Sequence, residues 1–198
     1  MRPAVFLDRD GTLIEQVPYL SDPAKARLLP GAAEAVRDLR KAGYACVLVT
    51  NQSALGRGMF GRDALDAVHA EVVRQLEAGG TELDGWYFCP VVPETKDRSR
   101  VEHPDRKPGP GMLERAAADL GLDLGRSWMV GDMVSDVLAG RHAGCRGSIL
   151  VSTGLAGEQG DAARRAATRT VRDLSEAARV ILASDGAHPG LADTQEVA

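Results

Sequence analysis

The sequence has few cysteines, few aromatic residues and no long hydrophobic run. Its three cysteines, Cys46, Cys89 and Cys145, are odd in number and widely spaced. This excludes a disulfide framework and indicates reduced thiols in a cytoplasmic protein. No apolar stretch approaches the length of a membrane span, and Met1-Arg2-Pro3 does not open a signal peptide. We therefore expect no membrane partner.

The sequence also lacks an excess of positive charge. Its 24 basic and 28 acidic residues give a net charge of −4, so we expect no nucleic-acid partner, and an anionic substrate would need a local cationic pocket. The length of 198 residues and the 44% hydrophobic content fit one domain, which we place at residues 1–184. Residues 185–198 are mostly small and polar and predict a mobile tail. There is no internal repeat.

Short apolar segments alternate with amphipathic ones along the chain. Strands are predicted at residues 4–7, 44–50, 86–89, 127–130 and 147–151, and helices at residues 31–42, 62–79, 109–121, 134–143 and 172–184. This alternation predicts an α/β fold, a parallel sheet with helices on both faces. Residues 13–29 and 90–107 form the two long irregular segments, and such loops are often functional.

Polar residues follow the predicted strands. Asp8 and Asp10 follow the first strand, Thr50 to Ser53 the second and Asp132 the fourth, while Arg106-Lys107 precede the helix that leads to the fourth. Ligands of parallel α/β sheets bind beyond the carboxyl ends of the strands. We therefore expect these residues to converge on one site.

The residue types at this site suit phosphoryl transfer. Two carboxylates as close as those of Asp8 and Asp10 repel unless a cation is present, and together with Asp132 they suit Mg²⁺. An ionised Asp8 could attack phosphorus, and Asp10 could act as the general acid and base. Thr50 and Lys107 would hold the phosphoryl oxygens.

Four motifs in order across residues 4–152 resemble those of the haloacid dehalogenase superfamily. They are Asp8-Arg-Asp-Gly-Thr-Leu, Val-Thr50-Asn-Gln-Ser53, Arg106-Lys-Pro and Val-Gly-Asp132-Met-Val-Ser-Asp136. The stretches Thr50-Asn-Gln-Ser-Ala-Leu-Gly-Arg-Gly58 and Arg106-Lys-Pro-Gly-Pro-Gly-Met112 are similar to the branch of heptose-bisphosphate and histidinol-phosphate phosphatases. The resemblance implies a Rossmann-like sheet, a small flap after the first strand and no large cap domain.

The resemblance also implies roles for individual residues. Asp8 would be the nucleophile and Asp10 the acid and base, with Thr50 and Lys107 on the phosphate. Asp8, Asp132 and the backbone carbonyl of Asp10 would bind Mg²⁺. The residues that would contact substrate are Gln16 to Tyr19, Asn51, Gln52, Ser53, Arg57 and Arg106. The expected substrate is a small sugar phosphate, first of all a heptose 1,7-bisphosphate cleaved at its 7-phosphate, and a fold without a cap could act as a monomer.

Two positions depart from the heptose branch. Its zinc loop has four ligands, but here only Cys89, His103 and Asp105 remain, because Val91 cannot bind a metal. A structural zinc site needs four ligands, so we expect no zinc, and the loop 90–107 must be ordered by packing or by its prolines, or not at all. Met133 stands where the branch usually has lysine, which removes one cation from the site.

Other functions stay open at this stage. Histidinol phosphate or a cyclitol phosphate would suit the same chemistry. A signalling receiver domain also combines aspartates, a threonine and a lysine, but it would carry its phosphorylated aspartate at the end of a middle strand. Here the strand at residues 44–50 ends in Thr50-Asn51, with no acid, and a domain that keeps its phosphate does not need Asp10 as an acid and base. A dehalogenase would need neither Asp10 nor the metal, and an inactive scaffold would not keep a competent residue at every catalytic position.

Overall fold

The computed structural model describes residues 1–155 and 160–186, and within them six parallel strands form one sheet. The strands are β1 (Ala4–Leu7), β2 (Ala45–Asn51), β3 (Gly85–Cys89), β4 (Trp128–Gly131), β5 (Gly147–Val151) and β6 (Arg169–Val171). Their order is β3-β2-β1-β4-β5-β6. The chain builds the sheet outward from β1, first on one side and then on the other, so β1 lies where the strand order reverses. In open α/β sheets this position marks the binding crevice.

Seven helices accompany the described strands. They are α1 (Ala32–Lys41), α2 (Ser53–Gly56), α3 (Arg62–Ala78), α4 (Gly111–Leu120), α5 (Val134–His142), α6 (Gly160–Ala166) and α7 (Leu174–Gly186). Short 3₁₀ turns lie at Pro23–Lys25 and Leu124–Arg126. None of the helices in residues 1–155 and 160–186 is both long and apolar enough to cross a membrane.

Successive residues of each central strand face opposite sides of the sheet, and both sides are covered. Val5 and Leu7 of β1 pack with buried residues of α1, α3 and α7. Ala4 and Phe6 pack on the other side with α4 and α5, through residues such as Met112. Burial on both faces explains why these strands are apolar throughout rather than alternating. The predicted α/β sheet with helices on both faces is confirmed.

A small flap follows β1. Within residues 13–29 the chain folds back on itself, and Glu15 donates its backbone N–H to the carbonyl of Arg27 at 2.9 Å while Leu29 donates to Leu13 at 3.0 Å. Gln75 of α3 holds the returning arm, because its side chain accepts from the backbone N–H of Leu28 at 3.0 Å. The described residues carry no larger inserted domain on the sheet, in agreement with the predicted cap-free architecture.

The five predicted strands and five predicted helices match observed elements to within about two residues at each end, the usual margin for boundaries. The sequence prediction lacks β6, α2 and α6. In β6 only Val171 is buried, and Arg169 is exposed, so the segment has none of the apolar character of an inner strand. The helix α7 continues to Gly186 and so includes the first two residues of the predicted tail 185–198, and residues 187–198 lie outside the described residues.

Candidate active site

The polar strand ends surround one cavity of about 390 Å³ at the carboxyl edge of the sheet. Asp8 and Asp10 enter it from the end of β1, and the end of β2 and the start of α2 supply a second wall. The flap supplies a third wall, and the loop before α5 closes the site. The lining residues are Asp8, Arg9, Asp10, Gln16, Val17, Pro18, Tyr19, Leu20, Thr50, Asn51, Gln52, Ser53, Ala54, Arg98, Lys107, Met133, Ser135, Asp136 and Leu155.

Lys107 is the buried cation of the site. Its Nζ donates to Asp8 Oδ1 at 2.6 Å, contacts Asp136 Oδ1 at 2.8 Å and donates to the carbonyl of Val49 at 2.7 Å. Burial opposes its charge, but Asp136 and Asp8 outweigh burial and raise the pKa of Lys107 above its ordinary value. Asn51 fixes the backbone at this point, because its side-chain amide bonds both the N–H and the carbonyl of Lys107.

Asp10 lies beside Asp8 and is held by two side chains. The guanidinium of Arg9 donates to both of its carboxylate oxygens, at 3.1 and 3.3 Å. The amide of Gln52 bridges Asp10 Oδ2 at 3.2 Å and Thr50 Oγ1 at 2.8 Å. Burial raises the pKa of Asp10, and Asp8 adds to this while Arg9 opposes it. A raised pKa moves a carboxyl group in the direction that general acid catalysis requires.

Three carboxylates form the candidate metal centre. Each of Asp8, Asp132 and Asp136 offers an oxygen atom within 4.8 Å of the others. The two oxygens of Asp136 are engaged by Lys107 and by the backbone N–H of Met133. Asp132 Oδ2 accepts from the N–H of Leu155 at 2.6 Å, but its Oδ1 is buried without a hydrogen-bond partner.

The electrostatics of this cluster fit a hard divalent cation. Burial, followed by the charges of Asp8 and Asp136, raises the pKa of Asp132 to about 8. Burial raises the pKa of Asp136 to about 6 although Lys107 opposes it. Buried carboxylates that lack sufficient positive charge are costly, and carboxylate oxygens are the ligands that Mg²⁺ prefers. The unpartnered Oδ1 of Asp132 is the observation that favours a bound ion most directly.

Gly11 allows the turn after β1 to approach this centre. Its φ of +78° lies in the left-handed region, and a Cβ atom there would lie 2.7 Å from Asp132 Oδ2 and 2.8 Å from the Cα of Gly154. Thr153 donates its hydroxyl to the carbonyl of Gly11 at 2.6 Å. A side chain at position 11 would therefore push the β1 turn away from Asp132.

The predicted substrate residues divide into two groups. Seven of them line the cavity, namely Gln16, Val17, Pro18, Tyr19, Asn51, Gln52 and Ser53, whereas Arg57 and Arg106 do not. Tyr19 is 58% exposed at the cavity wall and has an uncommon φ of +52°, a conformation that costs energy for a residue other than glycine. Arg106 is buried and donates to the carbonyl of Val91 at 2.8 Å, so its side chain holds the loop 90–107.

Hydrogen bonds connect the two arms of the loop 90–107. The carboxylate of Glu102 accepts from the backbone N–H groups of Glu94 and Thr95, at 2.8 and 2.9 Å, and from the Thr95 hydroxyl at 2.7 Å. Of the residues considered for zinc, Asp105 forms an ion pair with Arg115 at 2.9 Å. Together with Cys89 and His103 it does not form a cluster that could hold a metal within the described part of the chain.

Sequence reasoning missed six residues that line the cavity: Arg9, Leu20, Ala54, Arg98, Ser135 and Leu155. Arg9 and Ser135 lie inside the motifs, so their positions could have been found from the motif spacing. Arg98 comes from the long loop, and Leu155 lies beyond β5. No pattern in the sequence points to either.

Comparisons with known proteins agree with this geometry. Residues 105–177 match the family model described as HAD-hydrolase-like. A protein of Thermosynechococcus vestitus, D-glycero-D-manno-heptose-1,7-bisphosphate 7-phosphatase, is 44% identical over 158 residues, which cover 77% of this chain and 80% of that protein. The corresponding β-heptose enzyme of Rhodopseudomonas palustris is 42% identical over 147 residues, covering 74% of this chain and 82% of that protein.

Solved structures show the same fold. The D,D-heptose 1,7-bisphosphate phosphatase from B. bronchiseptica, solved in complex with magnesium and phosphate, superposes with a TM-score of 0.78 and 31% identity, covering 93% of this chain and 99% of that one. A putative HAD-like phosphatase from Mesorhizobium loti gives 0.77 with 35% identity, covering 96% and 90%. With four motifs, one fold and this level of identity, the chain belongs to the haloacid dehalogenase (HAD) family of hydrolases, in the branch that contains the heptose-bisphosphate phosphatases.

Proposed function

We propose that this protein is a Mg²⁺-dependent phosphatase that cleaves a phosphomonoester through a phosphorylated Asp8. The observation that carries the proposal is the placement of Asp8. One of its carboxylate oxygens is held by Lys107 at 2.6 Å, and the residue faces a cavity that Asp10 also lines. A nucleophile with a fixed orientation and an adjacent acid is what a two-step phosphoryl transfer needs.

In the first step, a carboxylate oxygen of Asp8 forms a bond to phosphorus while the bond from phosphorus to the ester oxygen breaks. Asp10 gives its proton to the departing oxygen, which leaves as the alcohol. Thr50 and Lys107 lie where they can bind the phosphoryl oxygens, which carry charge during the transfer. In the second step, Asp10 takes a proton from water, the water oxygen bonds to phosphorus, and Asp8 is released with inorganic phosphate.

Asp8 and Asp132, with the backbone carbonyl of Asp10, would hold Mg²⁺, whose positive charge would offset that of the carboxylates and the phosphoryl group. The unpartnered Oδ1 of Asp132 supports this set. Asp136 acts as a support, because Lys107 and the N–H of Met133 already engage both of its oxygens. Its role is to keep Lys107 charged and oriented toward Asp8.

We propose D-glycero-D-manno-heptose 1,7-bisphosphate as substrate, hydrolysed at the 7-phosphate. The names of the similar proteins support this choice, and so does the shape of the site. The flap and the loop 90–107 border a cavity of about 390 Å³, which is enough for a sugar phosphate and falls in the ordinary range of small-molecule sites. Tyr19 offers an exposed ring against which a sugar could pack. We further propose that the enzyme acts in the cytoplasm as a monomer, without a nucleic-acid or membrane partner.

The test is phosphate release from a substrate panel, with Mg²⁺ and with chelator. The panel contains both anomers of the heptose 1,7-bisphosphate, fructose 1,6-bisphosphate, histidinol phosphate and a cyclitol phosphate. We expect the highest kcat/KM for one heptose bisphosphate, with activity lost in chelator and in Asp8→Asn. A preference for another phosphate, still lost in Asp8→Asn, would keep the mechanism and discard the heptose. Activity that persists in Asp8→Asn would refute the mechanism.

A further inference from the structure

We propose that Arg98 binds a second anionic group of the substrate and so makes the enzyme selective for a sugar bisphosphate over the corresponding monophosphate. This inference rests on the proposed phosphatase function and adds a residue that determines specificity. It starts from an unpaired cation. Arg98 lines the same cavity as Asp8 and Lys107 and is partly buried, yet no hydrogen bond or ion pair joins it to any residue in 1–155 and 160–186.

A second cation lies close to Arg98. After burial, the charge of Arg98 is the largest influence that lowers the pKa of Arg106, and Arg57 lowers it further. Like charges near each other destabilise a protein unless an anion lies between them or close by. Cys89 and Glu102 oppose this effect, but Glu102 is a single carboxylate beside three arginines. The arginine group therefore has positive charge available for a ligand.

The reacting phosphoryl group does not account for this charge. It is served by Lys107, which contacts both Asp8 and Asp136. Arg98 comes from the loop 90–107 rather than from a strand end. A substrate with one phosphate would fill the position at Asp8 and leave Arg98 unpaired, whereas a bisphosphate would engage both cationic positions at once.

Hydrogen bonds lie on both sides of Arg98 in its loop. On one side of the arginine, Asp97 accepts from the backbone N–H and the hydroxyl of Ser99, at 2.9 and 2.6 Å. Glu102 closes the loop through Thr95. An arginine on a fixed loop loses less conformational freedom on binding than one on a mobile segment, and its planar guanidinium can form two parallel bonds to a phosphate.

The experiment compares D-glycero-D-manno-heptose 1,7-bisphosphate with the 7-phosphate of the same sugar. Both carry the same reacting group and differ in the second phosphate. The variants are Arg98→Ala, Arg98→Lys and the control Arg100→Ala, which removes an exposed arginine of the same loop that lies outside the cavity lining. The quantity measured is the ratio of kcat/KM for the bisphosphate to kcat/KM for the monophosphate.

We expect the wild-type ratio to favour the bisphosphate and to fall by about 10- to 100-fold in Arg98→Ala, the loss typical of a hydrogen bond to a charged group. Arg98→Lys should give a smaller fall, because lysine keeps the charge without the two-pronged geometry, and Arg100→Ala should match the wild type. A wild-type enzyme that hydrolyses both sugars equally, or an unchanged ratio in Arg98→Ala, would overturn this inference and leave the phosphatase function intact. A wild type that hydrolyses neither would overturn this inference and the heptose assignment, and the wider substrate panel would then decide whether the phosphatase mechanism stands.

Discussion

Replacing Lys107 by methionine tests how the site balances its charges. Lys107 and Asp136 have side chains that are each 2% exposed, and that of Asp8 is 11% exposed. Methionine fills a similar volume but removes the cation, so two buried carboxylates lose their partner. Removing one member of a buried ion pair typically costs about 3–5 kcal/mol, and with two acceptors we expect the upper part of that range.

In a domain of this size, 1 kcal/mol corresponds to a shift of about 2–4 °C in Tm. Lys107→Met should therefore lower the Tm by about 10 °C or more in the presence of chelator, as followed by circular dichroism. The matched control is Lys25→Met, which replaces an exposed lysine and should change stability by less than about 0.5 kcal/mol.

A second variant assigns the cause. In Lys107→Met/Asp136→Asn, one of the two uncompensated charges is gone, while an asparagine oxygen can still accept from the N–H of Met133. We expect this double variant to recover about 1 kcal/mol or more relative to Lys107→Met. A Lys107→Met protein as stable as the wild type, or a double variant less stable than Lys107→Met, would refute the charge-balance argument.

Three further predictions follow from the site. Gly11→Ala should lower stability by about 1–3 kcal/mol and weaken Mg²⁺ binding measured by calorimetry, because its φ of +78° is strained for alanine and the new Cβ would meet Asp132; unchanged Mg²⁺ affinity would contradict this. In chelator, the raised pKa of Asp132, about 8, and that of Asp136, about 6, mean that the folded protein binds these protons more tightly than the unfolded chain. Their contribution to the free energy of unfolding is complete below the ordinary value of 3.8 and is lost as the pH rises through about 6 and about 8. The Tm should therefore fall over that range, and it should fall less steeply in Asp132→Asn. A Tm that rises over that range, or an Asp132→Asn variant whose Tm falls as steeply as that of the wild type, would refute this prediction. Glu102→Ala should speed protease cleavage within residues 90–107 and raise KM for the sugar phosphate more than it changes kcat, because it removes three hydrogen bonds of that loop; wild-type cleavage rates would contradict it.

The sequence predicts the layers of the fold because the central strands are buried on both faces and are therefore apolar throughout, as Val5 to Leu7 illustrate. It cannot predict β6 by the same signal, because Arg169 and Thr170 are exposed at the edge of the sheet. The convergence of Asp8, Thr50 and Asp132 follows from the rule that parallel strands end at one edge, whereas Lys107 reaches Asp8, 99 positions away in the chain, from the loop that follows β3.

Other features depend on contacts that no spacing encodes. The loop 90–107 is fixed by the carboxylate of Glu102, and nothing in the sequence marks that residue as different from other surface acids. Arg98 reaches the cavity only because the loop takes that path. The same holds for the hydrogen bond that Arg106 donates to the carbonyl of Val91, while the contact of Arg106 with substrate stays a prediction.

The most direct test of the central claim is to trap the phosphorylated aspartate. In Asp10→Asn the general base for the second step is absent, while p-nitrophenyl phosphate has a leaving group that needs little protonation. Rapid mixing of this variant with p-nitrophenyl phosphate and Mg²⁺ should release one equivalent of p-nitrophenolate per enzyme and then stop. Intact-mass and peptide analysis should find one phosphoryl group on the peptide that contains Asp8. A variant that turns over steadily without a burst, or a phosphoryl group on any other residue, would contradict the account.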